Sequence, residues 1–176
     1  MKIKIDEFFI RSYEYSDKKA IVKYANNYNI SKTLRDRFPF PYTFTDAEQW
    51  LDAACRQETE LNFAIANEVE LIGAIGIQEQ DDVNRYSGEI GYWLAEPYWG
   101  KNIATRAVKA LTKYAFENFS FNRLFAGVFE GNTASEMVLK KAGYTREAVL
   151  RKSVFKEGKF LDQYQYSILR EEFENI

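Results

Sequence analysis

Apolar positions along this chain follow two rhythms. Short stretches rich in β-branched and aromatic residues lie at 8–13, 62–66, 71–77, 86–94 and 123–129, and in three pieces between 147 and 169. They read as strands. Between them apolar residues recur at helical spacing: Ala20, Ile21, Tyr24 and Ala25; Trp50, Leu51 and Ala54; Ile103, Ala104, Ala107, Val108, Leu111, Tyr114 and Ala115; Ala134, Met137 and Val138. These stripes predict helices over 17–27, over 45–57, over 101–118, and between an Asn132 cap and a Gly143 stop. Ser16 is the expected cap of the first, and Thr45 with Glu48 reads as a capping box for the second. The turns at 67–70 and Glu157-Gly158 predict hairpins. Residues 86–94 should complete an antiparallel meander of three strands. The strand–helix–strand run from 86 to 129 predicts a parallel pair with a right-handed crossover. The chain is therefore of mixed α/β class.

The segment GEIGYWLAEPYWGKNIAT, residues 88–105, is where chemistry enters. A strand ends at Glu96-Pro97, because proline has no N–H for a ladder. A short loop then leads into the longest predicted helix. The first amides of a helix have no partner within it and sit at the positive end of its dipole, so this turn can hold an anion. Lys101, Arg106, Lys109 and Lys113 lie in or after the loop, the last three on one helix face. They suit a phosphorylated ligand, or simply a solvated face. Neither G-x-x-x-x-G-K-[ST] nor G-x-G-x-x-G occurs.

Composition narrows the chemistry. The 176 residues, 46% hydrophobic, suffice for one domain over 1–176 with its own core. No apolar run approaches a membrane span, and MKIKIDEFF lacks a signal-peptide core, so a cytoplasmic protein is expected. Cys55 has no second cysteine to pair with and reads as a bystander. The absence of histidine removes Ser-His-Asp and Cys-His systems and most zinc sites, and no metal is expected. Acid–base work falls to carboxylates, tyrosine, serine, lysine or water. A net charge of −2 argues against a nucleic-acid partner.

With these residues in view, the chain resembles the GCN5-related N-acetyltransferases. Trp99-Gly100-Lys101-Asn102-Ile103-Ala104 resembles their pyrophosphate loop, Q/R-x-x-G-x-G/A, with Trp99 in place of Gln or Arg and Asn102 in place of Gly. Asparagine tolerates a left-handed backbone better than most residues, and Ala104 stays small. GYWL…PYWGKNIATRA is closer to the RimJ/RimL branch, which acetylates the N-termini of ribosomal proteins. Asn132, Ser135, Leu139, Lys141, Gly143 and Tyr144 match a second signature, N-x-x-S-x-x-x-L-x-K-x-G-F/Y, and Asp162 and Tyr166 fit the branch's ending. Ile10-Arg11 and Asp17 fit an N-terminal pattern loosely.

The resemblance implies one domain with a mostly antiparallel mixed sheet of about six to seven strands, splayed at the cofactor site and flanked by about four helices. It implies acetyl-CoA as co-substrate, held by Tyr92, Trp93 and Leu94, by Trp99, Gly100, Lys101, Asn102, Ile103, Ala104 and Thr105, and by Asn132 and Lys141. It implies an amine acceptor, either a protein N-terminus or a small amine such as a polyamine, gripped near Arg35, Arg37, Phe38 and Tyr42. Glu89 is the expected base, with Asp162 or water alone as alternatives. Ser135 is the expected acid, with Tyr144 as alternative. Dimers are common in the family, which leaves a homodimer open, as well as a module that binds acyl-CoA without turnover.

Overall fold

A computed structural model describes residues 1–174, and eight strands and six α-helices follow one another along them. In chain order they are β1 (Lys2–Ile5), β2 (Phe8–Arg11), α1 (Lys18–Ala25), α2 (Tyr28–Ser31), α3 (Phe44–Cys55), β3 (Asn62–Ala66) and β4 (Leu71–Glu79). Then come β5 (Ser87–Leu94), α4 (Ile103–Asn118), β6 (Arg123–Phe129), α5 (Thr133–Lys141), β7 (Thr145–Lys156), β8 (Lys159–Leu169) and α6 (Arg170–Glu174). The strands form one sheet in the order β1-β2-β3-β4-β5-β6-β8-β7. The parallel β5–β6 pair and the β3–β4 hairpin stand where the periodicity puts them. The sheet has more strands than the six or seven expected. The four residues of β1 are too few to show a period, and they become a strand by pairing antiparallel with β2. Likewise α2 and α6, of four and five residues, carry no readable stripe.

By internal packing the chain divides into two units, residues 1–76 with 92–107, and residues 77–91 with 108–176. In the first, β1 to β4 form an antiparallel run, and Ile10, Phe63, Ile65, Leu71 and Ile72 are fully buried. The stripes of α1 and α3 supply Ala20, Ile21, Ala25, Ala47, Leu51 and Ala54 to a core shared with Tyr13 and Tyr42. Arg11 grips the buried Asp17 with two hydrogen bonds of 2.8 and 2.6 Å, which gives the loose N-terminal pattern a physical purpose. Deleting Arg11 would strand a buried carboxylate, at a cost of about 3–5 kcal/mol.

Two cap expectations are corrected. Ser16 does not cap α1. Asp17 instead accepts from the Glu14 N–H, within a capping box of the preceding single turn. The box of α3 is Thr43 with Asp46, two residues earlier than Thr45 with Glu48. Both spellings are Thr-x-x-acid, and only the observed one is closed by its hydrogen bonds.

In the second unit, β8 pairs antiparallel with both β6 and β7, and Tyr166, Ile168, Leu124, Leu111 and Leu139 are buried. The pieces expected at 147–150 and 153–156 are one strand, β7, interrupted by register shifts between Arg146 and Ala148 and between Leu150 and Val154. Glu157 and Gly158, with φ of 49° and 76°, make the type of tight turn that matches strand twist. Helix α5 ends as predicted at a left-handed Gly143. The Tyr144 N–H reaches the Leu139 carbonyl and the Gly143 N–H reaches that of Lys140, a Schellman arrangement. Among the described residues no helix is long and apolar enough to cross a membrane.

Candidate active site

The residues singled out from sequence divide between the two units, and each set is taken in its own. In the first unit, β5 ends in Tyr92, Trp93 and Leu94. A side chain at Gly73 would bring its Cβ within 2.5 Å of the Trp93 carbonyl, so glycine there lets the two backbones approach. The Ala95 N–H bonds the Ile72 carbonyl at 2.8 Å. The Trp99 indole donates to the Leu94 carbonyl at 2.7 Å. Trp99 therefore closes the turn that leads from β5 toward α4, a structural use for the residue that departs from the loop's usual Gln or Arg.

The turn then passes through two left-handed residues, Gly100 at φ 75° and Asn102 at φ 56°. A Cβ at Gly100 would meet nothing within 4 Å, so conformation, not crowding, asks for glycine there. The first hydrogen bond of α4 runs from the Arg106 N–H to the Asn102 carbonyl. The amides of Ile103, Ala104 and Thr105 precede it and have no partner within the helix. Ile103 and Thr105 are buried and Ala104 is half-buried, with a methyl as its whole side chain. Left-handed residues ahead of the first amides of a helix, at the positive end of its dipole, are an arrangement that could hold a diphosphate. Lys101 is exposed in this turn, its Nζ 5.4 Å from the Tyr98 ring centre. Two other expected cations are engaged elsewhere, Arg106 with Asp6 at 3.1 Å and Lys113 with Glu117 at 3.8 Å.

The expected acceptor residues lie in the same unit, on the segment between α2 and α3. Phe38 stands edge-on to Trp93 at 5.8 Å and against Tyr42 at 5.1 Å. The structure thus joins an acceptor candidate to the strand expected to carry the cofactor. Tyr42 is buried, its hydroxyl pushed up to about 12 chiefly by that burial, and its N–H bonds the Asn26 side chain. It supports Phe38 from within the core. Arg35 and Arg37 are exposed.

Sequence reading missed two residues here. The Tyr13 hydroxyl is buried in the same core with no hydrogen-bond partner among the described residues, and burial raises its pKa. Tyr13 reads as the end of a strand, with nothing to mark it. Glu96, read only as a strand terminator, accepts from Asn27 at 2.7 Å and from Asn29 at 3.3 Å. These bonds hold its pKa below the usual carboxylate range. They tie the turn after β5 to the start of α2.

In the second unit, Glu89 is half-buried on β5 opposite Phe125, the last pair in the β5–β6 register. That register covers Ser87–Glu89 against Arg123–Phe125, although β6 continues to Phe129. Asn132 caps α5, its side-chain oxygen accepting from the Ser135 N–H at 3.2 Å. Ser135 is half-buried in the first turn, and Lys141 is exposed in the last.

Three residues of this unit have structural work. Tyr144 is buried, its hydroxyl 2.8 Å from that of the buried Thr112. It is enclosed in the core, which disfavours it as an acid. Asp162 accepts from the Lys152 N–H at 2.9 Å, where Lys152 is left-handed at φ 52°. Its carboxylate therefore clamps the irregular stretch of β7. Tyr166, fully buried, donates to Glu136 at 2.6 Å, and burial followed by that partner lifts its pKa to about 12.

Known proteins resemble this one in both sequence and fold. A family model described as an acetyltransferase (GNAT) domain matches residues 7–145. The Bacillus subtilis protein named "Putative ribosomal N-acetyltransferase YdaF" is 36% identical over 122 residues, covering 68% of this chain and 66% of that one. The crystal structure of a GNAT-family acetyltransferase from Bacillus anthracis superposes with a TM-score of 0.84 at 26% identity, covering 97% of this chain and 99% of the other. At 23% identity, and so as a likeness of fold alone, the spermidine N-acetyltransferase of Vibrio cholerae, solved with CoA and spermine, gives a TM-score of 0.80 over 96% of this chain and 99% of that one. The left-handed turn before α4 and the capped α5 thus have a family context: this chain belongs to the GNAT acetyltransferases and is an acetyl-CoA-dependent N-acetyltransferase.

Proposed function

We propose that the enzyme acetylates the α-amine of a polypeptide N-terminus. The observation that carries this reading is the poverty of strong bases. Histidine is absent, Asp162 is occupied by the Lys152 amide, and the remaining candidate, Glu89, is a half-buried carboxylate on a strand. An α-amine titrates near ~8 and is roughly a tenth neutral at pH 7, whereas a lysine-like amine near ~10.4 is almost wholly charged. A weak base acting directly or through one water serves the first far better than the second.

In this reading acetyl-CoA supplies the activated acetyl group. The amides of residues 100–105, the Lys101 ammonium and the main chain of Tyr92, Trp93 and Leu94 hold it, and Asn132 and Lys141 contribute from α5. Glu89 takes the proton that the amine loses as its nitrogen bonds the acetyl carbon. The Ser135 hydroxyl gives a proton to the sulfur as the carbon–sulfur bond breaks. Arg35, Phe38 and Tyr42 shape the acceptor side. No metal takes part, and the enzyme works in the cytoplasm, alone or as a homodimer.

The test is thiol release from acetyl-CoA with a panel of N-terminal peptides, spermidine and amino-acid amides. Peptides should be turned over best. Glu89→Gln and Ser135→Ala should each lower kcat at least ~100-fold, the lower end of the ordinary range for a general acid or base. Equal or better turnover of spermidine would replace the peptide reading with a polyamine one. Tight CoA binding with no turnover of any amine would make the protein a binding module.

A further inference from the structure

Strand β6 has two unlike faces. Leu124, Ala126 and Val128 are buried, while Arg123, Phe125, Gly127 and Phe129 are half-exposed. Residues paired across a sheet share a face. The register therefore sets Glu89 of β5, Gly127 and Phe129 of β6, and Gln163 and Gln165 of β8 together on the half-exposed face. Tyr166, next to Gln165, points the other way, to Glu136 of α5. At one end of this face the charges are spent: Arg123 pairs with Glu147, which also accepts from the Ser167 hydroxyl. Farther along, Gly127, Phe129, Gln163 and Gln165 carry no charge.

Gln163 is drawn across the face. A Cβ built on Gly127 would lie 1.7 Å from the Gln163 Nε2 and 2.8 Å from its Cδ, so the carboxamide lies flat over the glycine. Gly127 is not left-handed, and its backbone does not ask for glycine; the side chain lying on it does. Gln163 stands directly opposite Phe129, so in reaching Gly127 it leans back along β6 toward Phe125 and Glu89. The pairing of β5 with β6 stops at Glu89 and Phe125, and Gly127 is two residues past that point. The half-buried carboxamide makes no hydrogen bond to the described residues.

From this we infer that Gln163 is a specificity-determining residue, whose carboxamide binds the first peptide group of a polypeptide acceptor with its amine at Glu89. The inference rests on the peptide reading given above, with Glu89 as base, and adds the group that recognises the chain behind the amine. A carboxamide carries an NH2 donor and a carbonyl acceptor and no charge. It can donate to the carbonyl of the first residue and accept from the N–H that follows, whichever way round it lies. A polyamine has neither group and needs carboxylates for its ammoniums, and Gln163 supplies none. The cofactor arm is proposed to use main chain, in the plane of the sheet, whereas Gln163 stands on the face with Glu89.

The experiment measures thiol release by the full-length enzyme with a six-residue peptide bearing a free N-terminal alanine, and with spermidine. Two variants are compared with the wild type. Gln163→Leu removes the amide at similar size. Gly127→Ala displaces the amide without touching it, and only a flexible side-chain end has to move; thermal melts verify that both fold. Gln163→Leu should raise the KM of the peptide about tenfold, the loss of one or two neutral hydrogen bonds, with a smaller change in kcat. Gly127→Ala should raise it severalfold. The KM of acetyl-CoA and the turnover of spermidine should change far less, so the preference for the peptide falls in both variants. A C-terminally labelled peptide, followed by anisotropy in the presence of CoA, gives the same comparison without turnover. A peptide KM unmoved by Gln163→Leu overturns the inference and leaves the peptide reading standing, and a rise in the KM of acetyl-CoA instead overturns it by assigning the amide to the cofactor. A wild-type preference for spermidine sinks the peptide reading; the inference then stands only if the variants still weaken the peptide, and falls if they do not.

Discussion

Helices α4 and α5 each follow a strand, and each begins one residue after an asparagine, Asn102 before Ile103 and Asn132 before Thr133. A left-handed glycine stands close by in both cases, Gly100 and Gly131. The two asparagines are used differently. Asn132 has a right-handed φ of −85° and spends its side-chain oxygen on the Ser135 amide. Asn102 is itself left-handed, and its carbonyl begins the ladder of α4. One entrance is closed by the chain's own side chain. The other is entered through two left-handed residues, Gly100 and Asn102, and is the entrance proposed to receive the cofactor's diphosphate. The lesson is that the same strand–loop–helix spelling can enter a helix through a side-chain cap or through left-handed backbone, and only the φ angles tell the two apart.

Valine at the two glycines gives the sharpest test of this contrast. Both are left-handed, where a β-branched residue costs on the order of 1–3 kcal/mol. Gly100→Val should weaken CoA binding at least ~100-fold by calorimetry, combining backbone strain with loss of the amide cradle. Gly131→Val should lower the melting temperature and, acting on CoA only through the neighbouring Asn132, weaken CoA binding far less than Gly100→Val. Equal losses of affinity would erase the distinction between the entrances.

Next in size is Tyr144→Phe, which leaves the buried Thr112 hydroxyl without its partner. It should cost about 1–2 kcal/mol, a melting shift of roughly 2–6 °C for a chain of this length, with kcat within about twofold. A collapse of kcat without loss of stability would return Tyr144 to the chemistry.

Exchanging the asparagines refines the comparison further. Asn132→Ser keeps a cap and should be nearly neutral, whereas Asn132→Ala should cost ~1 kcal/mol. Position 102 should show the reverse preference. Asn102→Gly should be tolerated within a few tenths of a kcal/mol, and Asn102→Ser should be worse, since only glycine matches the left-handed geometry freely.

The smallest effect belongs to the Glu96 tie. Its pKa is depressed by Asn27 and then Asn29, so the tie contributes fully above the ordinary glutamate range and is lost as pH falls through the lowered folded value. Amide exchange over residues 27–32 should therefore quicken, relative to the unfolded reference, as the solution is acidified. Glu96→Gln should remove that pH step. An identical step in the variant would show that Glu96 is not its source.

Much of this was legible beforehand. The pattern located β3, β4, β6 and α4 within a residue or two: β6 and α4 bury one face and repeat with their own period, while β3 and β4, buried on both faces, read as continuous apolar runs. The left-handed tolerance of Asn102 and the stop at Gly143 were readable because backbone geometry restricts side-chain choice there. Thr45 with Glu48 was the expected box, but Thr43 also precedes an acid by three residues and is the one that closes. Ser16 looked like a cap only because Arg11, distant in the sequence from α1's first turn, had not yet claimed Asp17.

The sequence by itself determined the order of the longer strands and helices, the asparagines that open α4 and α5, and the family, since these follow from local spacing and backbone preference, whereas β1, α2 and α6 are too short to show a period. Tertiary structure alone decided which polar groups are spent. Asp162 went to a β7 amide, Tyr144 to Thr112, Trp99 to the Leu94 carbonyl and Glu96 to two asparagines. Each of these is a hydrogen bond to a partner at a distance no local pattern encodes. A side chain's chemical freedom depends on what reaches it once the chain has folded.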